Sequence, residues 1–186
     1  MALEVAIELP PEARIGYVFQ TPRLLPWRTV EDNIALVLDQ AQRRSGIVDR
    51  LLAEMKLDGV RSVYPQHLSL GMARRVALAR AFAVRPTLLL MDEPFVSLDE
   101  PTAQHLRHLL LDVLKHHPAT VLFVTHNLRE AIMLADRIAL LAPSPTHVVE
   151  DLAVPLTSEQ RRDESAIERV RNELLARDAA RPVAVS

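Results

Sequence analysis

Short runs rich in β-branched and aliphatic residues alternate with longer stretches of helical period along the chain, the rhythm of an α/β fold. Residues 14–20 (RIGYVFQ), 87–91 (TLLLM), 120–124 and 137–141 read as strands. The 87–91 run is apolar on both faces, which suits a central strand of a parallel sheet. Residues 31–42, 47–56, 100–116 and 128–135 read as helices, and in 47–56 Val48, Leu51, Leu52 and Met55 share one face. Ser69 is placed to cap a further helix reaching Ala83. Residues 24–27, flanked by Pro22, form a turn-rich loop. Beyond Pro143 and Pro145 the pattern weakens. Residues 158–177 are highly charged but keep Ile167, Val170, Leu174 and Leu175 at helical spacing, which predicts a terminal amphipathic helix. The stretch from 31 to 83 is nearly all helical and interrupts the sheet as an inserted subdomain would.

Composition narrows the classes. Hydrophobic residues make up 49% of the 186 and charged residues 25%, enough for a globular core in one domain. A formal net charge of −2 carries no basic footprint for nucleic acid. The absence of cysteine excludes disulfides and Cys-based zinc sites. No apolar run approaches the ~20 residues that span a bilayer, and Glu4 and Glu8 break the first stretch, which lacks the basic region of a signal peptide. Any work at a membrane is therefore expected to run through docking on another protein's helices.

Chemistry concentrates at strand ends. The run Leu88-Leu89-Leu90-Met91-Asp92-Glu93 delivers two carboxylates to the C-terminal edge of the sheet, where α/β folds bind ligands. The first can hold Mg²⁺, a hard cation that takes oxygen ligands; the second can polarise a water for attack on a phosphoryl group. Alone, Asp-Glu-Pro is met equally well as a strand end entering a turn. Residues 120–125 lead to His126, whose imidazole can donate a hydrogen bond to a terminal phosphate. The strand at 14–19 leads to Gln20, whose amide can orient an attacking water or complete a metal shell. Three polar strand ends of this kind point to one site.

Between them, His67-Leu68-Ser69-Leu70-Gly71-Met72 opens a helix carrying Arg74, Arg75 and Arg80. A Ser and a Gly at a helix start make an anion site from free amides and the positive end of the dipole. Simple N-capping by Ser69, with the arginines on a solvated face, accounts for this segment better when it is taken by itself.

In order and together, these segments resemble the nucleotide-binding domain of ABC transporters. YVFQ matches the Q-loop with Gln20, HLSLGM the signature, LLLMDEPF the Walker B strand with Glu93 as catalytic carboxylate, VSLD the D-loop from Ser97 to Asp99, and VTH the H-loop with His126. The resemblance covers nearly all of residues 14–142. LLPWRTVEDNI, DEPF and THNLREAIMLADRI are similar to the nitrate, sulfonate and taurine importer group.

The resemblance implies an incomplete P-loop NTPase fold: a mainly parallel sheet with an inserted helical subdomain and a C-terminal helix, all in one truncated domain over 1–186. Its core would be 14–30 and 86–142, its helical subdomain 31–85 and its C-terminal extension 143–186. It implies ATP hydrolysis coupled to substrate uptake, with ATP and Mg²⁺ as ligands and Asp92 and Gln20 on the metal. Such domains pair head to tail. Asp92, Glu93, Gln20 and His126 would serve this chain's own nucleotide, and Ser69 and Gly71 would touch the γ-phosphate on a second ABC ATPase subunit. Asp99 would help position the opposing P-loop. The segment from Gln20 to Trp27 and the helices after it would receive a transmembrane permease subunit, placing the chain in the cytoplasm against the inner face of the membrane.

Three departures qualify the pattern. No GxxxxGK[ST] occurs in the 186 residues, and none of the four glycines sits in a phosphate-cradling context. The family places that loop and an adenine-stacking aromatic before the Q-loop strand, where only residues 1–13 stand. Two expectations follow: an importer ATPase subunit whose true start lies upstream of Met1, or a non-hydrolytic partner offering Ser69, Gly71 and Asp99 to a complete subunit. Either way residues 1–186 by themselves are expected to be inactive. Leu70 stands where the family has a small residue; a left-handed backbone there would cost roughly 1–2 kcal/mol. Asn127 replaces the usual Asp after His126. A soluble ABC ATPase of DNA repair or translation fits less well, given the near-neutral charge and the LLPW segment.

Overall fold

The computed structural model describes residues 9–142 and 147–179. They divide between Val124 and Thr125 into two compact units.

In the first unit the strands are β1 (Ile15–Val18), β2 (Leu88–Asp92) and β3 (Thr120–Val124), and the helices are α1 (Val30–Ala35), α2 (Gln40–Arg44), α3 (Ile47–Glu54), α4 (Leu70–Ala83) and α5 (Glu100–His116). The three strands form one parallel sheet in the order β1-β2-β3. The apolar TLLLM run does become its centre. Register pairs Val18 with Met91 and Asp92 with Val124, so the C-terminal ends of all three strands share one edge. On one face Val18, Leu89 and Met91 are buried. There β1 approaches α4 so closely that a Cβ on Gly16 would stand 2.7 Å from the Ala81 carbonyl oxygen. On the other face Ile15, Tyr17, Leu122 and Val124 are exposed.

The helical block is more broken than the residues 31–42 pattern predicts. Thr29 and Asp32 close a capping box that starts α1, but α1 stops at Ala35. Asp39 then opens α2 with a second capping box to Gln42, so the local cap overrides continuous helical periodicity. α3 ends two residues short of 56, where Lys56 takes a left-handed φ of 57°. Val30, Ile34, Leu51, Leu52, Met55, Leu57, Val76 and Phe82 are all buried, and α1 and α3 both pack on α4.

The second unit holds α6 (Leu128–Leu134), β4 (Arg137–Leu141), β5 (Val148–Ala153) and α7 (Glu164–Ala179). The 137–141 strand is present but joins an antiparallel pair with β5. Among β5 residues only Leu152 is buried, which explains why its pattern does not stand out in sequence. The 158–177 helix is also split. A 3-10 turn at Gln160–Arg162 precedes α7, on which Ile167 and Val170 are buried while Leu175 is exposed. Arg161 is buried, donating to the Ile132, Met133 and Ala135 carbonyls that α6 leaves open at its C-terminus, and pairing with Asp136 at 2.8 Å. Among the described residues no helix is long and apolar enough to cross a membrane.

Candidate functional site

The parallel register brings Gln20 and the Asp92-Glu93 pair to one sheet edge. Gln20 Nε2 donates to Glu93 Oε2 at 3.3 Å. Glu93 itself has a left-handed φ of 40°, a conformation that a side chain with a Cβ adopts only at a cost. Its backbone N–H donates to the Val124 carbonyl of β3 at 2.9 Å, holding the strained residue where the sheet ends. Asp92, still paired with Val124 of β3, is half-buried, and its carboxylate makes no hydrogen bond or ion pair with another described residue. Its oxygens are open to a cation. A single open carboxylate beside an amide suits a Mg²⁺ that arrives already carrying phosphate and water ligands, not an all-protein cage; no cluster of three ionisable ligands exists among the described residues.

A second group forms at two helix starts. Ser69 caps α4, its Oγ accepting from the Met72 N–H at 3.2 Å. Asp99 caps α5, accepting from the Thr102 N–H at 3.0 Å. The Thr102 hydroxyl and amide hold the Asp99 carboxyl below its ordinary range. Gly71 joins the two: a Cβ there would stand 2.8 Å from Thr102 Cγ2. The sequence-predicted Ser69, Gly71 and Asp99 therefore do share one corner of the unit. Leu70 is the first residue of α4 and is not among the positive-φ positions, so the left-handed strain considered for it does not arise. Its side chain is exposed.

The arginines of α4 correct a sequence reading. Arg74 is only 3% exposed, and Arg80 donates to the Arg23 and Pro22 carbonyls at 3.0 and 2.9 Å. Arg74 is turned into the protein and Arg80, half-buried, reaches back onto a neighbouring loop. Arg74 lies one turn from Gly71 and one from Leu78, on the buried stripe of α4, and that position is the signal that could have identified it. Asn33 is a second polar residue in the core that the sequence pattern does not mark. Wholly buried, it accepts from the Leu25 N–H and donates to the Leu25, Arg28 and Thr29 carbonyls, fixing the loop that carries exposed Trp27. Pro26 and Trp27 line an open depression with Tyr64 and Gln66.

His126 belongs to the second unit and is exposed. The turn around it is closed by side-chain hydrogen bonds. Thr125 Oγ1 donates to Glu130 at 2.8 Å and accepts from the Asn127 N–H at 3.0 Å. Asn127 caps α6 through Oδ1, so the Asp-to-Asn change retains the capping acceptor.

A family model described as ABC transporter matches residues 6–96. A relative from Pseudomonas syringae pv. tomato is 39% identical over 164 residues, which are 88% of this chain and 70% of that protein. The chain belongs to the ABC transporter family, among its ATP-binding proteins. That relative is named aliphatic sulfonates import ATP-binding protein SsuB 2. A protein of the same name from Burkholderia cenocepacia is 44% identical over 156 residues, 83% of this chain and 58% of that protein. The chain thus spans a little under three-fifths of the Burkholderia relative's length. Among solved structures, a dimeric post-hydrolysis state of the ATP-binding cassette MJ0796 bound to ADP and Pi matches with a TM-score of 0.64 and 28% identity, covering 78% of this chain and 65% of that one. The α/β fold with its parallel sheet is that of the ABC ATPases.

Proposed function

We propose that this chain is the ATP-binding part of an ABC importer for aliphatic sulfonates, coupling ATP hydrolysis to uptake. The observation that carries the reading is the Gln20–Glu93 hydrogen bond at the shared edge of β1 and β2, beside an open Asp92 carboxylate. Asp92 and Gln20 would hold the Mg²⁺ that arrives with the nucleotide, which would supply charge neutralisation at the phosphates. Glu93 accepts a proton from the attacking water, and Gln20 orients that water. The H-loop resemblance assigns to His126 a hydrogen bond to a terminal phosphate. Ser69 and Gly71 face a nucleotide on a second ATPase subunit, and Asp99 positions the opposing P-loop. The exposed Trp27 loop receives the transmembrane permease, which keeps the chain on the cytoplasmic side of the membrane.

A second reading, a non-hydrolytic subunit that only supplies its signature to a complete partner, draws on one observation: Ser69, Gly71 and Asp99 are assembled within one unit, through helix contacts that need no nucleotide. Chromosomal substitution separates the two. Under the first reading Glu93→Gln and Ser69→Arg each abolish uptake of an aliphatic sulfonate, measured against nitrate as comparator. Loss with Ser69→Arg alone selects the second. Sulfonate uptake unchanged in both strains contradicts both readings.

A further inference from the structure

Arg74 is buried yet has no acidic partner among the described residues; burial alone holds its pKa below the ordinary arginine value. An unpaired guanidinium in a core is costly to keep. Its fork is split between two backbone oxygens on different segments. One terminal nitrogen donates to the Phe19 carbonyl at 3.3 Å and the other to the Val96 carbonyl at 3.0 Å, while Nε has no partner. Phe19 immediately precedes Gln20. Val96 immediately precedes Ser97, which has a left-handed φ of 64° and leads into the Asp99 cap.

The two acceptors are therefore the last carbonyls before two working loops, and both belong to segments that lack a continuous ladder of their own. On the second loop, Val96 N–H reaches the Glu93 carbonyl at 3.3 Å and Leu98 N–H the Phe95 carbonyl at 3.4 Å, both long bonds. On the first, Arg80 of the same helix holds the far side of the loop at Pro22 and Arg23. Arg23 in turn lies over the Phe19 ring, 4.2 Å from its centroid. A planar fork on a long stem presents donors on two separate nitrogens to two carbonyls from one helix position, whereas an ammonium offers its donors from a single nitrogen.

We propose that Arg74 is a positioning residue: from the signature helix it fixes the backbone before Gln20 and before Ser97, so the Gln20–Glu93 contact and the Asp99 corner keep one relative placement. This rests on reading Gln20, Glu93 and Asp99 as working residues, but its test uses no nucleotide, so its failure is distinct from failure of the uptake experiment. Arg74→Met in the 186-residue chain is expected to speed amide exchange at Val96 and Leu98 by about tenfold or more, and to move the Gln20 side-chain amide resonance toward that of a free glutamine. Amides of Val76 to Phe82 within α4 keep their protection. Arg80→Met is expected to leave Val96 and Leu98 unchanged, because its acceptors lie on the first loop alone. If Arg74→Met does not fold, Arg74→Lys retains the charge without the fork and is expected to loosen at least one of the two loops. Wild-type exchange at both loops in the variant that folds, or loop changes merely matched by those within α4, overturns the proposal.

Discussion

At Gly71 the usual helix preference is reversed by a neighbour. Replacing a helical glycine with alanine normally stabilises by about 0.5–1 kcal/mol. Here the new methyl would meet Thr102 Cγ2 at 2.8 Å, and overpacking of this kind costs about 1–3 kcal/mol. Gly71→Ala is therefore expected to destabilise the first unit by about 1–2 kcal/mol in chemical denaturation, despite its better propensity. Gly71 was legible in sequence as a signature residue, but its packing reason was not, since Thr102 is distant in the chain. The same holds for Glu93 and Ser97. Their identity announces chemistry, whereas their left-handed φ values follow from how β2 ends and how the turn into α5 is held. Arg74 shows the opposite weakness. Charge suggested solvent, and its place on the buried stripe of α4 was the better guide.

Among the elements, those with long, regular patterns were readable and those set by local caps or mixed burial were not. The central strand and the 100–116 helix occur where their apolar patterns place them, while α1 and α2 are separated by an Asp39 capping box inside one apparent helical stretch. β5 carries Glu150 and Asp151 in its middle and pairs only with β4, so no strand signature was available. The α5 cap also gives a pH signature. Thr102 lowers the folded pKa of Asp99 first through its hydroxyl and then through its amide. A depressed carboxylate contributes stability that is full above the unfolded value and disappears as pH falls through the folded one. Asparagine also caps helices but does not titrate. In melts across the acid range below about pH 4, wild type is expected to lose more stability than Asp99→Asn. Parallel acid limbs for the two proteins would show that the cap does not titrate there.

For the molecule as a whole, the first unit carries two arrangements, carboxylates and an amide at a sheet edge and two helix starts at a signature corner, and the fork of one arginine bonds the backbone leading into each. Sequence order pointed to Gln20, Asp92 and Glu93 in the first group and Ser69, Gly71 and Asp99 in the second, because each lies at the end of a regular element, whereas His126, read with the first group, belongs to the second unit. The open apolar face formed by Ile15, Tyr17, Leu122 and Val124 became visible only with the register of the sheet. The central claim is that these residues supply an ABC ATP-binding half-site. It is tested most directly by equilibrium binding of a fluorescent ATP analogue with Mg²⁺. The sample is residues 1–186 mixed with a full-length SsuB-type relative that has an intact GxxxxGK[ST] loop and a disabled signature serine. Tight nucleotide binding is predicted in the mixture, none with residues 1–186 alone, and loss of the gain when Ser69→Arg is used. A mixture that binds no better than its separate components would contradict the account.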